Sequence, residues 1–128
     1  MARIVIIDDD ESLLPMLVQM VTRLGHEVFA EANGHTGLKR VRAVAPDLVI
    51  TDMVMPEKEG VETILELRRS FPAVKIIAIS GGGRISSADH LLLAKKFGAM
   101  ATLAKPFSRD ELKLVLDAAL GGPAQPAV

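Results

Sequence analysis

Four β-branched residues in succession, Ile4-Val5-Ile6-Ile7, run straight into three carboxylates, Asp8-Asp9-Asp10. A strand that is apolar on both faces belongs in a parallel sheet covered by helices, because a sheet with one wet face would alternate. The carboxylates then stand where that strand surfaces. Like charges so close raise one another's pKa unless a cation intervenes. The triplet therefore calls for something positive beside it.

The rest of the chain repeats the theme. After the strand Arg3–Ile7, the segment Glu11–Leu24 carries Leu13, Leu14, Leu17, Met20, Val21 and Leu24 at helical spacing, with Asp10 as candidate N-cap and Gly25 as stop. Pro15 falls at the edge of the first turn, where proline is tolerated. Glu27–Glu31 reads as a shorter, edge-like strand and Asn33-Gly34 as a turn. Leu38, Val41 and Val44 line a second helix ended by Pro46, and Leu48–Thr51 is a buried strand with Asp52 at its carboxyl end. A loop from Pro56 to Gly60 leads into a helix over Val61–Ser70. Val74–Ile79 is a strand closed by Ser80 and three glycines, and a helix is expected over Ser86–Phe97, capped by Gly98. Met100–Ala104 is the last strand. Lys105-Pro106 breaks the chain, and Ser108 with Glu111 forms a capping box for a helix to about Leu120. Residues 121–128, GGPAQPAV, read as a flexible tail or the start of a linker.

Five βα units with short connections call for an α/β fold, a five-stranded parallel sheet doubly wound by helices on both faces. Such folds bind ligands at the carboxyl ends of the strands, where the strand order reverses. At 128 residues there is room for one domain, read here as residues 1–120, and 49% hydrophobic content suffices for its core. A net charge of −1 gives no general pull towards nucleic acid or acidic membranes. Tyr and Trp are absent, which makes stacking platforms for single-stranded nucleic acid hard to build. The absence of Cys excludes disulfides and zinc–thiolate sites. Acids arrive at position 8, where a signal peptide would stay apolar, and no apolar run approaches the ~20 residues needed to cross a bilayer. A cytoplasmic protein with no nucleic-acid or membrane partner is expected. The basic clusters Lys39-Arg40 with Arg42, Arg68-Arg69 and Lys95-Lys96 read as solvated helix faces. His26, His35 and His90 read as surface residues, and the six Met as core fillers.

The polar residues that interrupt the apolar runs fall at strand tips: Asp8 and Asp9, Asp52, Ser80 and Lys105. Hard carboxylate oxygens in that arrangement suit Mg²⁺, which takes one or two of them and shares phosphate oxygens. An ammonium and a hydroxyl are what an incoming phosphoryl group needs. With no Cys and no Ser paired to a His, the best nucleophile is a carboxylate, and Asp52 stands alone at a central tip. A phosphatase of the haloacid-dehalogenase type, with Asp8 attacking and Asp10 as acid, is a rival reading. So is a docking module that takes no phosphate.

From IVIIDDD through PDLVITDMVMP and IIAISG to LAKPF, over residues 2–120, the chain resembles the receiver domain of two-component response regulators, notably the single-domain, chemotaxis-regulator-like ones. The resemblance implies a flavodoxin-like sheet of strand order 2-1-3-4-5. It implies that Asp52 accepts phosphate from a sensor histidine kinase or histidine phosphotransfer protein, and that a downstream effector protein reads the result. Asp9 matches a direct Mg²⁺ ligand, Asp8 the neighbour holding metal-bound water, and Val54 the position whose carbonyl completes the metal shell, with Asp52 also a ligand. Ser80 matches the switch hydroxyl, and Lys105 the lysine that pairs with the phosphoryl group, its bond to Pro106 often cis. No enzyme activity is implied beyond self-phosphorylation and self-dephosphorylation on Asp52. Thr102 departs from the pattern, standing where the family usually has an aromatic residue. Gly82 leaves no side chain where one often tunes dephosphorylation, and Gly81-Gly82-Gly83 implies a mobile switch loop. With no output domain after Leu120, a stand-alone receiver or a piece of a longer regulator is expected, as a monomer or weak homodimer.

Overall fold

Five strands form: β1 (Arg3–Ile7), β2 (Glu27–Glu31), β3 (Leu48–Asp52), β4 (Lys75–Ser80) and β5 (Ala101–Ala104). All pair in parallel as one sheet in the order β2-β1-β3-β4-β5. The computed structural model describes residues 1–53, 60–80, 92, 96 and 98–121, with backbone alone for 60 and 61. Val54, the loop from Pro56, the Gly81-Gly82-Gly83 loop and the tail from 122 lie outside the described residues. So does most of the expected helix Ser86–Phe97, although Leu92 and Lys96 are helical and exposed.

Alternation sorts the strand side chains onto two cores. Val5, Ile7, Val49, Ile76 and Ala78 pack with Val41 of α2 (Gly34–Val44) and with Ile64 and Leu67 of α3 (Gly60–Ser70). Ile4, Ile6, Leu48, Ile50, Ile77 and Ile79 face the other way. They meet Leu17 and Val21 of α1 (Leu13–Arg23) and Leu112 and Leu116 of α4 (Arg109–Ala119). The central strand β3 is buried along its whole length, as a strand covered on both faces must be. α2 comes so close to β1 that a Cβ at Gly37 would overlap the Ile7 side chain.

Several local details depart from the sequence reading. α1 begins at Leu13 rather than Glu11. Asp10 Oδ1 accepts from Ser12 N–H (2.9 Å) and Leu13 N–H (3.1 Å), so its side chain caps from two residues upstream of the N-cap position. Asn33-Gly34 is a helix start instead of a free turn, with Asn33 Oδ1 accepting from Thr36 N–H at 2.9 Å. Among the described methionines Met53 is buried and Met20 is half-buried against a core, while Met1, Met16 and Met100 are exposed. Arg68 is not purely solvated, since its guanidinium donates to Val74 C=O at the entry to β4.

The capping box before α4 forms as its spacing requires. Ser108 Oγ accepts from Glu111 N–H at 3.0 Å, and Glu111 Oε1 accepts from Ser108 N–H at 2.8 Å. Ser108→Ala removes one of these bonds from a helix that covers half of one core. It should lower the unfolding free energy by about 1 kcal/mol, read from urea denaturation.

Candidate functional site at the carboxyl edge of the sheet

β1 and β3 are neighbours although β2 separates them in sequence, so the strand order reverses between them, and their tips carry Asp8 and Asp52. Backbone bonds fix both. Asp8 N–H donates to Glu31 C=O of β2 (3.1 Å), and Met53 N–H donates to Ile79 C=O of β4 (2.9 Å), extending the ladder past Asp52. Thr51 Oγ1 donates to the Asp52 carbonyl at 3.2 Å. Met53 and Thr51 thus hold Asp52 in place, a support that nothing in the sequence announces.

One oxygen from each of Asp8, Asp9 and Asp52 lies within 4.8 Å of the others. The Lys105 ammonium stands between two of them, 3.7 Å from Asp8 Oδ2 and 3.8 Å from Asp52 Oδ2. The Lys105 N–H donates to Ser80 C=O at 2.6 Å, which joins the ends of β4 and β5 and sets the lysine at this edge. The Lys105-Pro106 bond is cis. Ser80 is the last residue of β4 rather than the residue after it, and it is fully buried. Asp8, Asp9, Asp52 and Lys105 therefore converge, with Ser80 at the adjoining tip. Val54 lies outside the described residues. Thr102 pairs with Ala78 in the β4–β5 register and is half-buried.

Asp8 is the most constrained member. Its side chain is buried, Oδ1 accepts from Asp10 N–H at 2.9 Å, and Oδ2 is buried without a hydrogen-bond partner. Lys105 at 3.7 Å attracts that oxygen without bonding it. Burial pushes the Asp8 pKa up; the Asp10 N–H and then the Lys105 charge restrain it, and the charges of Asp9 and Asp10 add to the rise. An oxygen-only cluster with one orphaned carboxylate oxygen fits Mg²⁺ in its preference and its charge.

Asp10 is different. It is exposed, and its pKa is lowered by the N–H groups of Leu13 and Ser12 that it caps. A general acid requires the opposite shift. Asp10, committed as a cap, does not suit the proton-donor role that the phosphatase reading gives it.

The family described as response regulator receiver domain matches residues 4–117. The DNA-binding transcriptional regulator NtrC of Azospirillum brasilense is 36% identical over 126 residues, covering 98% of this chain and 26% of that protein. The chain thus spans about a quarter of that regulator's length. The chemotaxis protein CheY of Thermotoga maritima is 35% identical over 106 residues, covering 82% of this chain and 86% of that protein. Among solved structures, a response regulator receiver domain protein from Clostridium thermocellum superposes with a TM-score of 0.87 at 29% identity, over 94% of this chain and 95% of that one.

An acid whose native pKa is raised contributes stability at low pH and loses it as pH rises through the native value. Ionised Asp8 therefore costs the metal-free domain stability at neutral pH. Asp8→Asn should raise the unfolding midpoint of the metal-free protein at pH 7, and the gain should vanish in acid. Mg²⁺ should stabilise the wild type by roughly 2.7 kcal/mol at a hundredfold excess over its Kd, and the variant by much less.

Proposed function

Because this chain belongs to the response regulator receiver domain family, we propose that it is a phosphoacceptor in two-component signalling and that Asp52 takes the phosphoryl group. The observation that carries the reading is the Lys105 ammonium held between the carboxylates of Asp8 and Asp52 at a strand-order reversal. Receiver domains are not conventional enzymes; the chemistry here is a single transfer onto the domain and its later loss.

An Asp52 carboxylate oxygen attacks phosphorus as the phosphorus–nitrogen bond to a phosphohistidine breaks, and the imidazole departs with that electron pair. The product is an acyl phosphate carrying roughly −1.5 to −2 charges, by analogy with other phosphorylated side chains. The transition state is loose, with charge on the equatorial oxygens, so positioning and neutralisation supply the catalysis. The β3–β4 ladder fixes the backbone beside Asp52, and Lys105, 3.8 Å from its carboxylate, is near enough to neutralise an incoming phosphoryl group. Asp8, Asp9 and Asp52, with the Val54 carbonyl, would hold Mg²⁺. That ion supplies charge neutralisation at the phosphoryl oxygens. Ser80 then turns its hydroxyl to the new acceptors, a local event that biases a bistable element.

The donor is a sensor histidine kinase or histidine phosphotransfer protein, and a downstream effector protein reads the switched surface. Thr102 in place of an aromatic residue changes how that surface responds. Residues 1–120 form the receiver and 121–128 a tail or linker. No described helix is long and apolar enough to cross a membrane, which agrees with work in the cytoplasm.

Phosphoryl uptake from a phosphohistidine donor or acetyl phosphate tests this. Asp52→Asn should abolish it, chelation of divalent ions should stop it, and Lys105→Ala should slow it ~100-fold. Labelling that survives Asp52→Asn, or that is lost only in Asp8→Asn, would refute the assignment.

A further inference from the structure

At the amino-terminal edge of the sheet, opposite the acidic cluster, the described residues surround an open groove of about 1020 Å³. His26 lies at its rim, and it is more than a solvated surface residue. Its Nδ1 accepts from Ala2 N–H at 3.1 Å, while the next residue, Glu27, donates its own N–H to Ala2 C=O at 2.9 Å. Both backbone polar groups of Ala2 are thereby tied to the amino end of β2, an edge strand. Acceptance at Nδ1 requires a neutral imidazole with its proton on Nε2. An imidazolium has two donors and no acceptor, so protonation would set two N–H groups against each other.

We propose that His26 is a proton-operated latch: neutral, it fastens the start of β1 to edge strand β2; protonated, it lets that end go. Its charged surroundings are the Met1 amine and Arg3 on β1, Glu27 on β2, and Asp47, Lys75, Lys113 and Asp117 around the groove. Most are already committed. Arg3 Nε pairs with Glu27 at 3.2 Å, Asp47 Oδ2 accepts from Arg3 N–H at 2.8 Å, and Lys113 pairs with Asp117 at 2.8 Å. Burial first, then the Met1 ammonium, holds His26 below its ordinary 6.5, with Asp117 pulling the other way. A group depressed in the native state contributes stability at neutral pH, lost as pH falls from 6.5 towards the native value.

The test follows the His26 imidazole and the Glu27 amide by NMR from about pH 7.5 to about pH 5.5, the range in which histidine titrates. Opening at Glu27, corrected for the intrinsic pH dependence of exchange, should rise roughly two- to tenfold in step with His26 protonation, which matches the loss of one hydrogen bond. His26→Asn keeps an acceptor oxygen near the Nδ1 position and cannot titrate, so its Glu27 opening should stay flat. The wild-type titration decides without the variant: His26 titrating while Glu27 opening stays constant overturns the proposal. So does an unchanged rise in His26→Asn.

Discussion

The Lys105 ammonium, suspended between two carboxylates and hydrogen-bonded to neither, is the contact on which the carboxyl edge depends. Asp8 and Asp52 come together because β1 and β3 are adjacent, and Asp9 follows Asp8 into the cluster. The sheet places like charges side by side as a consequence of its strand order. Among the described residues, one ammonium stands against three carboxylates, which leaves the cluster short of positive charge. That shortage suits the cluster to a hard divalent cation.

The two ends of the sheet divide labour. At the amino-terminal edge, hydrogen bonds and ion pairs are mostly closed: Asp47 accepts from Arg3 N–H, Arg3 reaches Val44 C=O, and Lys75 N–H donates to Asp47 C=O. At the carboxyl edge, the ladder extends one step past Asp52 through Met53, and Asp8 Oδ2 is left without a donor. Among the described residues, the polar groups where strands enter the sheet are paired, while a buried carboxylate oxygen where β1 leaves it is not. This is the usual relation between a rigid scaffold and a site built on its rim.

Much of this was legible in the chain. Ile4–Ile7 and Leu48–Ile50 could only be buried strands, and the polar residue ending each run had to surface at the same sheet edge. Ser108 and Glu111 announced their capping box by spacing. Other features were invisible for physical reasons. Asn33 suits both a turn and a helix cap, and only the Thr36 N–H bond distinguishes them. Asp10 offered a cap, but a carboxylate that reaches residues 12 and 13 delays the helix start, and propensity does not report that. Met16 and Met100 are exposed because a thioether is equally at home in either setting. His26 found its partner 24 residues away, a distance over which no local pattern speaks.

The most direct measurement is an anomalous-scattering map of crystals equilibrated with Mn²⁺, a divalent ion that accepts the same oxygen ligands as Mg²⁺. One peak is expected at the carboxyl edge, bonded by oxygens of Asp9 and Asp52 and close to the orphaned oxygen of Asp8, and it should disappear in Asp9→Asn. A cluster that stays metal-free at saturating Mn²⁺, or a peak bound elsewhere with Asp9 and Asp52 turned apart, would contradict it.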